Sequence, residues 1–193
     1  MAVALAVDLP TADPQRLREA VRRAFAAAAD TPASTVPSPR RLRDGAEQVK
    51  SDETSGSDAS RYFQALLEIG YLVASADGLA AEERQALAEL LEEATGKSVD
   101  QAALKLHFED LDQAVAMLGR HERLRRSAAD LEELGAREEA LGFATLVAIA
   151  DGSFAEPEAL ALLELGRDLE LSDEQIRALV DQAVAQVKQA LTS

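Results

Sequence analysis

Residues 73–83 read VASADGLAAEE, and residues 147–158 read VAIADGSFAEPE. In each, an apolar helical run stops on Asp-Gly, and glutamates open the stretch that follows. The two halves of the chain align around these stretches. Leu72-Val73-Ala74 falls on Leu146-Val147-Ala148, and Ala76-Asp77-Gly78 on Ala150-Asp151-Gly152. With one residue fewer in the first loop, Glu83 falls on Glu158, Leu87 on Leu162 and Leu90 on Leu165. Further on, Ser98 falls on Ser172 and Gln101 on Gln175. Each unit therefore reads as helix, Asp-Gly, acidic loop, helix, Ser-capped helix. A duplicated unit of this kind predicts one bundle with rough two-fold pseudosymmetry and a Leu/Val/Ala core.

The flanking sequence extends the same pattern. From residue 61 onward alanine, leucine, glutamate and arginine dominate, all good helix formers. No stretch alternates apolar and polar residues over a strand length. Helices are expected over about 61–76 and over EERQALAELLEEAT, ending at Gly96. A third starts at Val99 behind the Ser98–Gln101 capping box. DLDQAVAMLG and RLRRSAADLEELG read as two more, with Gly119 between them. REEALGFATLVAIA runs to residue 150, and EALALLELGRDLE stops near Glu170. A last helix follows the Ser172–Gln175 capping box. Upstream, Asp13-Pro14 is an N-cap followed by proline at the first helical position. Leu17, Val21 and Phe25 then form one apolar stripe with arginines around it. The Pro-, Ser- and Asp-rich stretch 31–60 reads as a flexible linker with a short helical turn near 40–50. The expected fold is all-α: an internally duplicated bundle of about seven helices over 61–193, an amphipathic helix within 1–30, and a linker over 31–60.

Composition narrows the function. The 193 residues include no cysteine, which excludes disulfides, thiolate zinc sites and a cysteine nucleophile. The opening MAVALAVDLPTADP lacks a basic n-region, and no run approaches a membrane span, so a soluble cytoplasmic protein is expected. The formal net charge is −15. Residues 1–60 hold eight Lys/Arg against nine Asp/Glu; residues 61–193 hold twelve against twenty-six. An acidic field of this size repels nucleic acid and attracts cations or basic partners, although solvated helix faces alone also account for it.

The aspartates of the repeat pose a chemical question. A carboxylate in the last turn of a helix faces the negative end of the dipole, at a cost of about 0.3–1 kcal/mol. Three compensations are open. The carboxylate can accept from loop N–H groups and fix the turn. It can face the positive N-terminus of the next helix. Or, with Glu82 and Glu83 in the first loop and Glu156 and Glu158 in the second, it can offer hard oxygens to a divalent cation. Neither loop has EF-hand spacing, and glutamates in a first turn are favoured by the dipole without any ion.

A helix ending in VASADG or VAIADG, an acidic residue opening the next helix, and a Ser-capped third helix together resemble the TerB-like family. That family includes the tellurite-resistance protein TerB and the N-terminal domain of a membrane-anchored J-domain co-chaperone. The similarity covers about 61–193 and is clearest in ADGSFAEPEALALLELGRDLELSDEQI. It implies an all-helical, internally duplicated bundle and a stress-response role near the cytoplasmic face of the membrane. It also implies an acidic site for a divalent cation (calcium, magnesium, manganese or zinc) at Asp77, Glu83, Asp151 and Glu158.

Other features carry less chemistry. His121 lies in a basic patch with Arg120, Arg123, Arg125 and Arg126, which reads either as a helix face paired with glutamates or as a dock for an anionic partner. His107, in LHFED, could join Glu109 or Asp110 on a metal, or simply pack. The 14–29 helix, with arginines around its largely alanine apolar face, reads as a membrane-surface helix or, in preference, as a partner-binding or bundle-capping helix tethered by the linker. No nucleophile elbow, phosphate loop, dinucleotide fingerprint or zinc-hydrolase motif is present, so nothing selects an enzyme. The sequence points to a binding module with a protein partner, with or without a cation.

Overall fold

The computed structural model describes residues 5, 13–28, 35–50, 57–78, 81–96, 99, 101–150 and 154–192, except the side chains of residues 50, 81–83, 86 and 93. The described residues form nine α-helices and no strand. They are α1 (Pro14–Ala28), α2 (Pro39–Lys50), α3 (Asp58–Ala74), α4 (Ala81–Ala94), α5 (Gln101–Leu118), α6 (Arg120–Glu133), α7 (Arg137–Ala148), α8 (Glu156–Asp168) and α9 (Asp173–Thr192).

Local signals set many of the boundaries. The Asp13 carboxylate accepts the Gln15 N–H at 2.8 Å, capping α1 ahead of Pro14. At α9 the capping box is reciprocal: Gln175 N–H donates to Ser172 Oγ at 3.2 Å, and Ser172 N–H donates to Gln175 Oε1 at 2.9 Å. Gly119 separates α5 from α6. DLDQAVAMLG is not a separate helix. Leu104, Phe108 and Leu111 continue one buried stripe with no glycine or proline between them, so α5 runs unbroken. The Ser98 cap lies outside the described residues.

Helices α3 and α7 form the centre. Nearly every residue of the second half of α3 and of α7 is buried, as expected for helices apolar on all sides. The two run parallel. Near their starts the Tyr62 hydroxyl donates to Glu139 at 2.6 Å, and eight residues further along α3, Gly70 lies against Phe143 and Val147. Around this pair pack α2 and α6 against α3, and α8 and α9 against α7.

The N-terminal region departs from the expected linker. Pro39–Lys50 is a three-turn helix, not a brief turn, and it packs along α3. Val36, Leu42 and Ala46 are buried, so this stretch contributes apolar area despite its polar composition. The chain crosses α7 so closely at Thr35 that a Cβ on Gly142 would sit 2.0 Å from the Thr35 carbonyl oxygen. Only glycine admits that crossing. The apolar stripe of α1 is likewise turned inward. Leu17, Val21 and Phe25 are buried, and the Phe25 ring meets Phe143 at 5.7 Å between centroids. Burying one such side chain contributes about 1.5–3 kcal/mol. With its stripe packed in the core, α1 caps the bundle and presents its arginines, not its apolar face, to the outside. Among the described residues, no helix is long and apolar enough to cross a membrane.

Candidate functional site at the Asp-Gly corners

Because α3 and α7 run parallel, their C-terminal ends lie at the same end of the molecule. The turn after α3 and the start of α8 are thereby brought to one side of the bundle.

At the first corner, α3 closes with Ser75 N–H on the Tyr71 carbonyl at 2.9 Å and Ala76 N–H on Val73 at 3.1 Å. Gly78 follows at φ +94°, the left-handed conformation that glycine adopts at low cost, and its N–H donates to the Ser75 carbonyl. Asp77 is exposed and makes no hydrogen bond or ion pair with any described residue. The turn is held from elsewhere. Arg120, the first residue of α6, donates to the carbonyl oxygens of Ala76 at 2.8 Å and Ser75 at 2.5 Å. Its guanidinium places a full positive charge at the negative end of the α3 dipole, which answers the unfavourable charge that the sequence posed there.

The second corner is built differently. α7 ends with Ile149 and Ala150 N–H groups on the carbonyls of Thr145 and Val147. Asp151 and Gly152 lie outside the described residues. Ala155, in extended conformation, takes the N-cap position of α8 without a side chain that could cap. Glu158 supplies the cap from one turn inside: its carboxylate accepts the Ala155 N–H at 2.8 Å. It is 1% exposed, at the end of the helix where a negative charge is stabilised.

Of the four carboxylates predicted for a cation, Asp77 and Glu158 are therefore described in full and stand at the same end of the bundle. The Glu83 side chain and Asp151 are outside the described residues. At the first corner the carbonyls at the end of α3 accept from the Arg120 guanidinium, while the Asp77 carboxylate stays exposed. At the second corner Glu158 accepts a backbone hydrogen bond within α8. Among the described residues no group of three or more His, Cys, Asp or Glu side chains could hold a metal ion.

The basic patch on α6 is neutralised within the chain. Arg123 donates to Glu68 at 2.5 Å, where Ser127 Oγ also donates at 2.7 Å. Arg125 and Arg126 both bind Glu122, at 2.8 Å each, which holds the Glu122 carboxyl below its usual range and raises Arg125. His121 stands 3.9 Å from Glu164 on α8. The patch is thus a paired helix face, as the first of the two sequence readings has it. His107 is half-buried beside Glu68 and Arg123, and its Nε2 has no hydrogen-bond partner among the described residues. Burial pushes its pKa down; Glu68 and Asp110 oppose that shift, and Arg123 adds to it.

Sequence reasoning missed Arg120 as a cap. Its sequence context, immediately after the glycine that ends α5, marks a corner residue but does not say which helix it caps. It also missed the α3–α5 contact, where Tyr71 stacks on Phe108 at 4.4 Å and donates to Asp112, which pairs with Arg84 at 3.0 Å.

A family model described as tellurite resistance protein TerB matches residues 63–181. No curated protein and no solved structure matches the chain. Helices α1 and α2 and the last turns of α9 lie beyond the matched span.

Proposed function

This chain belongs to the TerB family, and on that premise we propose that it is a non-catalytic, tellurite-resistance-type stress-response module that acts by binding a protein partner at the end carrying its two Asp-Gly corners. The observation that supports this reading is the parallel α3–α7 pair, which brings the turn after α3 and the start of α8 to one side of the bundle. The corners there are self-sufficient: Arg120 holds the first, and Glu158 holds the second. This supports a metal-free adaptor. The family resemblance favours a second reading, in which Asp77, Glu83, Asp151 and Glu158 hold a divalent cation. Peripheral contact with the cytoplasmic membrane face belongs to the same family expectation.

Calorimetric titration with calcium, magnesium, manganese and zinc separates the two. The adaptor reading expects no heat beyond dilution. Binding heat that disappears in an Asp77→Asn/Asp151→Asn double variant would establish the cation reading instead. Deleting the chain from its host should increase sensitivity to tellurite, and unchanged growth in tellurite would sink the resistance role.

A further inference from the structure

Four large apolar side chains are conspicuously exposed: Leu106, Met117, Leu118 and Leu160. Three of them lie on helix segments near the corner end. Helices α6 and α8 run side by side in the same direction. His121 stands 3.9 Å from Glu164, and one turn along both helices the charge of Asp168 acts on Arg125. One turn back along α8 from Glu164 is Leu160, 53% exposed. Immediately before the start of α6, across Gly119, are Met117 and Leu118, 84% and 46% exposed. Arg120 ties this same junction to the end of α3 through Ser75 and Ala76. Met117 and Leu118 thus flank the α5–α6 junction that Arg120 ties to α3, Leu160 lies one turn from the α8 residue that faces His121, and the carboxylates of Asp77, Glu156 and Glu164 are exposed on these same elements.

We propose that this end is a docking surface for a basic amphipathic helix of a partner protein, with Met117, Leu118 and Leu160 receiving its apolar stripe and Asp77, Glu156 and Glu164 its Lys/Arg edges. The proposal rests on the reading of this end as the binding end and names the chemistry of its partner. Methionine and leucine offer an adaptable apolar seat, and acids around it select a cationic helix. Charge decides between occupants. Arg120 is held by two carbonyls and His121 faces Glu164, which leaves Asp77 and Glu156 as exposed charges that repel an anionic lipid surface. A second copy of this chain has arginines on α1, but the apolar stripe of that helix, Leu17, Val21 and Phe25, is buried in its own core. A separate basic helix satisfies both the apolar seat and the charge.

The test uses the full chain in EDTA-containing buffer with a synthetic leucine–lysine amphipathic peptide, read by fluorescence anisotropy and by amide shifts of the labelled protein. The peptide is expected to bind and to shift residues 75–78, 117–121 and 160–164. Met117→Asp/Leu160→Asp should weaken binding about tenfold or more, as loss of central apolar anchors does. Asp77→Asn should weaken it about twofold to threefold and lower its salt dependence. Glu174→Gln, an exposed acid on α9, should leave it unchanged. Both sites of substitution in the double variant are exposed, and its circular dichroism should match the parent. Absence of binding, equal binding to the double variant, shifts centred elsewhere, or equal weakening by Glu174→Gln would each overturn the proposal. Shifts centred elsewhere would leave the chain a binding module with a different surface. Binding of anionic vesicles in place of the peptide would assign the surface to a membrane and overturn it as well.

Discussion

The two Asp-Gly corners share a sequence pattern and are stabilised in opposite ways. The first is held from a distance: Arg120, more than forty residues along the chain, reaches from α6 to the final carbonyls of α3. The second is held from within: Glu158 caps a residue three positions before it. The first leaves its aspartate exposed and unpaired among the described residues, whereas the second buries its glutamate. At the first corner a tertiary contact satisfies carbonyls at a helix C-terminus, and at the second a local contact satisfies an N–H at a helix N-terminus.

The difference can be tested, beginning with the change expected to cost most. Glu158→Ala removes a buried cap and leaves the Ala155 N–H without its acceptor. It should lower stability by about 2–3 kcal/mol in urea unfolding. Glu158→Gln, which keeps an acceptor oxygen, should cost about 1 kcal/mol. Arg120→Met keeps the aliphatic stem and removes two donors from the carbonyls of a helix end, so a loss of about 1–2 kcal/mol is expected. Hydrogen exchange would show where it acts. Faster exchange should be confined to the end of α3 and the start of α6, leaving α8 as it was; uniform acceleration would mean that the contact is not a local staple.

Acid should probe a second tie between α3 and α6, away from the corners. His107 lies against Glu68 and Arg123, the second contact that ties α3 to α6, and burial depresses its pKa from 6.5. The folded protein therefore prefers the neutral imidazole. The stability linked to it is present above about pH 6.5 and is lost as pH falls through the lower folded value. The urea midpoint should fall over that range in the parent, and His107→Gln should fall less. An identical decline in both would remove His107 from this role. The smallest effect belongs to Asp77→Asn. The charge has no partner among the described residues and opposes the helix dipole, so the change should stabilise by about 0.3–0.5 kcal/mol.

These contrasts explain what could be read in advance. The apolar stripe Leu17-Val21-Phe25, the Asp13 cap and the Ser172–Gln175 box are local patterns, and the structure reproduces each. The Glu158 cap is also local, but it stands behind Ala155, which provides none of the side-chain oxygens that normally mark an N-terminus. Residues 39–50 were legible only as a brief turn. Their polar composition hides two buried apolar positions, Leu42 and Ala46, whose partners lie on another helix, and a composition rule weighs the segment without those partners. For the same reason the arginines of α6 were readable as a cationic patch, although Glu68, Glu122 and two carbonyls occupy them.

By itself the sequence determined that the chain is all-helical, where most of its helices begin and end, and that its Asp-Gly stretches place acids at helix ends. Those properties depend on side-chain periodicity and on contacts within one or two turns. Only the tertiary structure decided that α3 and α7 run parallel, that the turn after α3 and the start of α8 share one end, that Arg120 closes the first corner, and that Met117, Leu118 and Leu160 stay exposed. Each of these depends on which helices become neighbours. That choice is made by packing many apolar faces into one core, and no single stretch of the chain contains it.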